Sequence, residues 1–518
     1  MGELDFDDIE VPLYTPDASI PIGQTTYTIK DLIDKLDDPN LLITEDNSKL
    51  LAITYLDTTY FDDYAQVIVL QDVSNPGIIS PNLADIPVSP SNQDIVIPTQ
   101  TLTFEYTSPN NEELDSVKYS TGTITLDITN QYQSELEYEL TLTDIVNLDT
   151  GAPMILSGTV PGNSSNQATQ DLTNHKTIIV QVPGTGNTNF FSGVFDSTLK
   201  VKTGEGVSST DFIDYTLSIT NADFSEIYGW FGDKTINIEN QTVDMGFFED
   251  LSENSLSFNA PQVSFYISNG FGVPMGLNMG GISSTNSKGT TVNLSGDITA
   301  SPQLVRAPST TQVGTSLSSI IRTNETNSNL RELFAISPTS FNIDLTAGSN
   351  YNNANDQDRN FVSSTSEVEV VTEINLPLDV KLEGLSRNFG TGIEAFDFED
   401  ADTIRLILTT HNELPLEGSI DMQFLDSDSS VLFEFLDISF IKSPELLSTG
   451  RIEEKIVNKD TIKLYRGHGY QELINASILN IVTHITSYKA ADDNYVKLFS
   501  DYEMTLKVGT QANVKHEL

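Results

Sequence analysis

Apolar and polar residues alternate along most of the chain. Between Thr121 and Leu142, Ile124, Leu126 and Ile128 share one face of a strand that ends at Ile128-Thr129-Asn130. After a short turn, Leu136, Tyr138, Leu140 and Leu142 share one face of a second strand, and Glu135, Glu137, Glu139 and Thr141 take the other. A period of two marks a strand with one dry and one wet face. Similar strand–Asn–turn units return at 215–232 (Thr220-Asn221), at 263–279 (Ser268-Asn269, then Val273-Pro274-Met275) and at 404–422 (His411-Asn412, then Leu414-Pro415-Leu416). Asn closes a strand with a local turn hydrogen bond, and proline suits the first residue of the next. The units lie roughly 90, 50 and 140 residues apart, which argues against a regular solenoid or propeller.

The same pattern divides the chain. Residues 1–21 are acidic, with Pro12, Pro16 and Pro21, and read as a tether. Residues 22–92 read as a small module. Ile29, Leu32, Ile33 and Leu36 predict one short helix with Thr28 as its cap, and Leu41–Thr44 with Leu50–Tyr55 predict a hairpin. Residues 93–300 form a β domain, 301–365 a connecting region rich in Ser, Thr and Asn, and 366–518 a C-terminal β domain. Within the connecting region, Leu330, Leu333 and Phe334 stand at helical spacing. The run from Tyr495 to about Val514 reads either as one strand of ~65 Å or as two strands split by a bulge. The expected fold is all-β: an elongated multi-domain sandwich or a curled-sheet rod, with one short N-terminal helix.

Charge narrows the function classes. Acids outnumber bases 74 to 26, a formal charge of −48, and the hydrophobic fraction is 38%. Such a surface repels phosphate backbones and anionic headgroups, so nucleic acid is not an expected partner. Divalent cations and basic partners suit it better. The chain has no cysteine, which removes thiol catalysis, disulfides and Cys-based zinc sites. No apolar run approaches the ~18 residues of a membrane-spanning helix.

The opening segments carry a resemblance. The acids Glu3, Asp5, Asp7 and Asp8 come first, then Ile20-Pro21-Ile22, then Tyr27–Leu32, then a polar loop feeding Leu50–Tyr55. This order resembles the start of mature lipoproteins of Bacteroidota, in which a lipidated cysteine precedes an acidic export signal. The cysteine is absent here. The resemblance covers about the first tenth of the chain and implies a lipid anchor in the precursor and a place at the outer membrane or cell surface. The strand–Asn–turn–Pro units are also loosely similar to the repeat of water-stress β-sandwiches.

Little in the sequence points to catalysis. His175, His411, His468, His484 and His516 stand alone, and no nucleophile elbow or phosphate loop is present. Asp426, Asp428 and Ser430 offer hard oxygen ligands at D-x-D-x-S spacing, as do Glu399, Asp400 and Asp402 nearby, and Ca²⁺ is the one cofactor considered. Tyr228, Trp230 and Phe231, between glycines, are candidates for a sugar or partner contact, and the flexible stretch with Met275 and Met279 for a lipid or partner contact. The expectation is a non-enzymatic surface lipoprotein that binds or scaffolds an outer-membrane protein assembly. Lipid binding in a curled-sheet groove and glycan binding are the alternatives.

Overall fold

The computed structural model describes residues 17–514 apart from 31–40, 107, 109, 111, 182–188, 239, 250, 252–254, 353–358, 393–400 and 466–474. The described chain is all-β. It begins with β1 (Asp17–Thr28) and the hairpin of β2 (Leu42–Glu45) and β3 (Leu51–Phe61). Next come β4 (Val73–Ile79), β5 (Gln93–Tyr106), β6 (Glu113–Asn130), β7 (Glu135–Asn147), β8 (Pro153–Val160) and β9 (Ser164–Asp171). The short β10 (His175–Ile178) and β11 (Val180–Gln181) lead to β12 (Asn189–Val201) and β13 (Ile213–Trp230). A third stretch holds β14 (Thr235–Asn237), β15 (Gln241–Asp244), β16 (Leu256–Phe258), β17 (Gln262–Asn269) and β18 (Met275–Asn286). It continues through β19 (Thr291–Asn293), β20 (Gln303–Val305), β21 (Leu317–Asn324), β22 (Pro338–Ser349) and β23 (Asn360–Ser363) to β24 (Val368–Pro377) and β25 (Asp379–Leu382). The last stretch is β26 (Leu385–Gly392), β27 (Ala401–Asn412), β28 (Leu416–Leu425), β29 (Val431–Ile441), β30 (Ile456–Tyr465), β31 (Ile478–Ser487), β32 (Val496–Lys497) and β33 (Glu503–Val514).

These strands pair into three sandwiches built to one plan. Sandwich I joins β4-β13-β6-β9 to β5-β12-β7-β8, with β10 bridging β6 and β7 at one end. Sandwich II joins β3-β24-β17-β21 to a sheet in which β14 and β15 flank β22, followed by β18 and then by β19 and β20. Sandwich III joins β1-β33-β27-β30 to β26-β31-β28-β29. Counting β14 with β15, and β19 with β20, as single positions, each unit has eight strands. Their order is 1-8-3-6 in one sheet and 2-7-4-5 in the other, which is a jelly roll. The sheets face one another across packed side chains. In sandwich I, Phe104 of β5 meets Tyr215 of β13 edge to face at 6.2 Å. In sandwich III, Ile404, Ile462 and Leu464 of one sheet bury with Ile420, Met422, Phe424 and Phe440 of the other.

The jelly rolls are nested. The chain lays down strand 1 of III, then strand 1 of II, and then completes all of I. It returns to finish II and then III, so that β1 at one end of the chain pairs with β33 at the other, from Asp17↔Asn513 to Thr28↔Glu503. This is why sequence divisions miss the units. Residues 17–21, read as tether, belong to strand 1 of III. The connecting region at 301–365 contains β20 to β23 and a short helix, Leu330–Ala335, whose Leu330, Leu333 and Phe334 are fully buried. The hairpin of β2 and β3 matches its prediction, whereas only Ile29 and Lys30 of the predicted N-terminal helix fall within the described residues. The run from Tyr495 resolves into β32 and β33, with Leu498, Phe499 and Tyr502 buried between them, so no single long strand forms there.

Three of the four strand–Asn units mark one corner of the jelly roll, where strand 3 crosses to strand 4. Asn130, Asn269 and Asn412 are each fully buried. Each accepts, through Oδ1, the backbone N–H two residues on: Tyr132 at 3.0 Å, Phe271 at 2.9 Å and Leu414 at 2.8 Å. Each donates through Nδ2 to the carbonyl four residues on, Ser134, Val273 or Leu416. Each also donates to a carbonyl at the end of strand 5 or just after it, Val160 at 3.2 Å, Arg306 at 3.0 Å or Lys442 at 2.9 Å. The exception is Asn221. It sits at φ 52° inside β13, at a bulge opposite Thr121 to Thr123, and ends no strand. With it set aside, 139 residues separate Asn130 from Asn269 and 143 separate Asn269 from Asn412, so the repeat is regular after all. The units are thus jelly-roll corners, not the water-stress repeat they resemble.

A buried amide with this many partners leaves orphaned backbone groups when it is removed, at about 1–3 kcal/mol for each group left unpaired. Asn269→Ala is expected to lower the unfolding free energy by about 2–4 kcal/mol. Asn278→Ala, where the exposed amide bonds only Thr346 Oγ1, should change it by less than about 0.5 kcal/mol. Urea denaturation of both variants measures the difference.

Candidate functional site

The structure disperses the residues singled out in the sequence. Phe231, Met275 and Met279 are core, at 0%, 4% and 1% exposure: the two methionines lie on the inward face of β18, and Phe231 follows the last residue of β13. Asp426 serves the β28–β29 turn. Its Oδ1 accepts the N–H groups of Asp428 and Ser430, both at 2.9 Å. Asp46 does the same in the β2–β3 turn with Ser48 and Leu50, which holds its carboxyl below the usual range, chiefly through the Ser48 hydroxyl. The D-x-D-x-S spacing is accounted for by this turn chemistry, and no group of three or more His, Asp or Glu among the described residues is placed to hold a metal. Glu399 and Asp400 lie outside the described residues, as do His468 and His516. His484 bonds Asp421 at 3.1 Å in sandwich III, and His175 bonds the Thr173 carbonyl in sandwich I.

Tyr228 and Trp230 are half-buried where sandwich I meets sandwich II. There β23 pairs with the end of β13, Tyr228 opposite Phe361. Gly229 between them has φ +159°, and a Cβ at that position would strike the carbonyl of Glu113. The Tyr228 hydroxyl donates to Glu226, which pairs with Lys118 at 2.6 Å. Burial and then that carboxylate push the Tyr228 phenol up. Three further ion pairs pin the junction. Arg359 reaches Asp115 at 2.7 Å and Glu113 at 2.9 Å, and Lys234 reaches the buried Glu112 at 2.7 Å. Trp230 Nε1 is buried with no acceptor. This constellation reads as an interdomain joint.

The open surfaces lie elsewhere. One is the outer face of β7, β8 and β12 in sandwich I, a cleft of about 480 Å³. Glu139 stands opposite Asp196 on one side and Ser157 on the other, and Glu137 stands opposite Thr198 and Thr159. Lys200 binds Glu137 and Asp94, both at 2.9 Å, and these hydrogen bonds hold its ammonium above the usual range. Glu139 and Asp196 remain as like charges across a strand pair, an arrangement that costs stability unless a ligand offsets it. The face can accept hydrogen bonds from hydroxyl, ammonium or guanidinium groups. The second surface is a cleft of about 540 Å³ between the edge strands β20 and β21 of sandwich II, lined by Leu304, Arg306, Ser318, Ile320 and Arg322. The sequence shows Glu137 and Glu139 on a wet strand face, but only the strand pairing brings Asp196 beside them. Nothing in the sequence joins Arg306 to Arg322.

No family model matches the chain, and no curated protein matches it. Among solved structures, a protein of Parabacteroides distasonis described as secreted is 14% identical, covers 55% of this chain and 88% of its own, and has a TM-score of 0.34. The tandem CBM22-1-CBM22-2 domain from Paenibacillus barcinonensis Xyn10C is 9% identical over 52% and 82%, with a TM-score of 0.14. The VP2 subviral particle of infectious bursal disease virus is 8% identical over 84% of each chain, with a TM-score of 0.15. Similarity at this level assigns neither a family nor an activity.

Glu112 gives the I–II joint a pH dependence. Burial pushes its carboxyl up, but hydrogen bonds from Lys234 and Ser108 outweigh that and bring it from 4.5 down to about 2. A carboxyl depressed on folding adds stability that is complete above its unfolded value and is lost as pH falls through the folded one. The joint should therefore weaken between about pH 4.5 and pH 2, by up to about 3 kcal/mol. Denaturation at stepwise lower pH should show this loss, and Lys234→Met should remove much of it. An unchanged pH slope in Lys234→Met would count against the pair.

Proposed function

We propose that this chain is a non-enzymatic cell-surface protein of a Gram-negative bacterium that binds or scaffolds an outer-membrane protein assembly. The observation that carries the reading is the nesting. Both terminal strands lie in sandwich III, so an N-terminal anchor would hold that unit. Sandwich I is reached only after the chain has started both of the others, and its strands pair with II and not with III among the described residues. The units therefore run III, II, I outward from an anchor, and the acidic face of Glu137, Glu139 and Asp196 sits on the outermost one. Among the described residues, no helix is long and apolar enough to cross a membrane. The resemblance of residues 3–55 to surface lipoproteins agrees with attachment by an anchor.

Two measurements test it. Protease applied to intact cells of the native host should cleave a site inserted in the Pro161–Ser164 turn of sandwich I. Mild-detergent purification of the tagged full-length chain should bring down an outer-membrane protein in stoichiometric amount. Glu139→Gln with Asp196→Asn should cut that recovery about tenfold, the scale expected from losing one or two charge-assisted hydrogen bonds. Protection of the site until the outer membrane is opened, or elution of the chain alone, would sink the proposal.

A further inference from the structure

Arginine is scarce in this acidic chain, and four of the six arginines whose side chains are described are engaged within the fold. Arg331 bonds Asn259, Arg359 bonds Asp115 and Glu113, Arg405 bonds Gln511, and Arg451 bonds Asp501. Arg306 and Arg322 are the two described arginine side chains without an ion pair or hydrogen bond, and both line the β20–β21 cleft. With 74 acids in the chain, two guanidinium groups without a carboxylate partner in one cleft stand out. Beside them, Leu304 is 45% exposed and Ile320 is 50% exposed. Among the described residues β20 pairs with β18 alone and β21 with β17 alone, so each has an edge that carries no further strand, although Asn327 Nδ2 donates to the Arg322 carbonyl at 3.0 Å and would have to yield to an added strand. Native edges are commonly blunted with charge, proline or a cover, and an edge bearing exposed aliphatic residues is suited to strand addition.

From these features we infer that the β20–β21 cleft of sandwich II is a docking site for an extended acidic peptide segment of a protein partner. This rests on the reading of the chain as a protein-binding surface protein and names the chemistry of one partner. Ser318, Ile320 and Arg322 share the outward face of β21, Leu304 lies on that of β20, and the exposed Arg306 follows β20 directly. A peptide strand added antiparallel to β21 places an aliphatic residue opposite Ile320 and, two residues away on the same face, a carboxylate opposite Arg322. Bidentate pairing with a carboxylate is the contact that a guanidinium favours most. The cleft has no aromatic platform for a neutral sugar, and its two aliphatic residues suit peptide side chains.

The probe is a synthetic peptide absent from this chain, Ser-Asp-Thr-Ile-Ser-Glu-Thr-Val-Ser, in which carboxylate and aliphatic side chains alternate along one face of the strand. Fluorescence anisotropy with the purified full chain should give a dissociation constant between about 10 μM and 1 mM, weakened several-fold between 50 and 500 mM salt. Arg306→Gln with Arg322→Gln, both exposed and harmless to folding, should weaken binding at least tenfold. Ile320→Ser should weaken it about threefold to tenfold. The peptide with every Asp and Glu replaced by Asn and Gln should not bind. Absence of binding, binding indifferent to the double arginine variant, or capture of an oligouronate in place of the peptide would each overturn the inference. The titration needs no cell, so its failure leaves the surface-display reading to stand or fall on protease access and co-purification.

Discussion

The pairing of each sandwich's first strand with its last is the constraint on which the rest of the molecule depends. Strand 1 of a jelly roll has no partner until strand 8 arrives, and here the arrivals are staggered. Sandwich I closes over a continuous stretch, as β4 finds β13. Sandwich II needs β3 to find β24, and sandwich III needs β1 to find β33 across almost the whole chain. Direct closure of loops that long carries a large entropy cost and a slow search. Nesting shortens the search, because each folded inner unit brings together the ends of the segment it interrupts. The architecture therefore implies an order of closure from I to II to III, with the two ends of the chain joining last.

The sequence shows some of this. Alternation located the strands, and helical spacing found Leu330, Leu333 and Phe334, because both are local patterns set by which face is dry. The corner asparagines were legible as a repeated unit, and their spacing becomes regular once Asn221 is recognised as a bulge. What no local pattern shows is which strands pair over hundreds of residues. That hid the nesting, the discontinuity of II and III, and every surface assembled from separate strands. Asp426 illustrates the reverse error: a spacing that fits a cation loop is equally the spacing of a turn in which one carboxylate caps two N–H groups.

The same limit explains why candidate contact residues turned out to be structural. Phe231, Met275 and Met279 are apolar residues near glycines, and so are many residues at the rim of a sandwich. Glycine at 229 serves the close approach of β13 to the Glu113 carbonyl, and its neighbours are held at the joint as a consequence.

Charge is distributed with the same logic. Four of the bases stand where sandwiches meet. Lys234 and Arg359 hold I to II, while Lys381 reaches Asp493 at 2.7 Å between II and III. Arg451 of III bonds the Ser48 carbonyl of II and lies 3.9 Å over the Phe499 ring. Pairs at such joints are partly shielded from solvent and couple more strongly than exposed ones. These bases help fix the sandwiches in sequence, and the excess of carboxylates elsewhere makes separate molecules repel one another and keeps their sheet edges apart. On that surface, the β20–β21 cleft reverses the rule. Its arginines hold no joint, its strand edges carry no further strand and its aliphatic residues are exposed. Such a combination is a liability in an idle surface, and it has a physical rationale once a carboxylate-bearing strand is placed upon it.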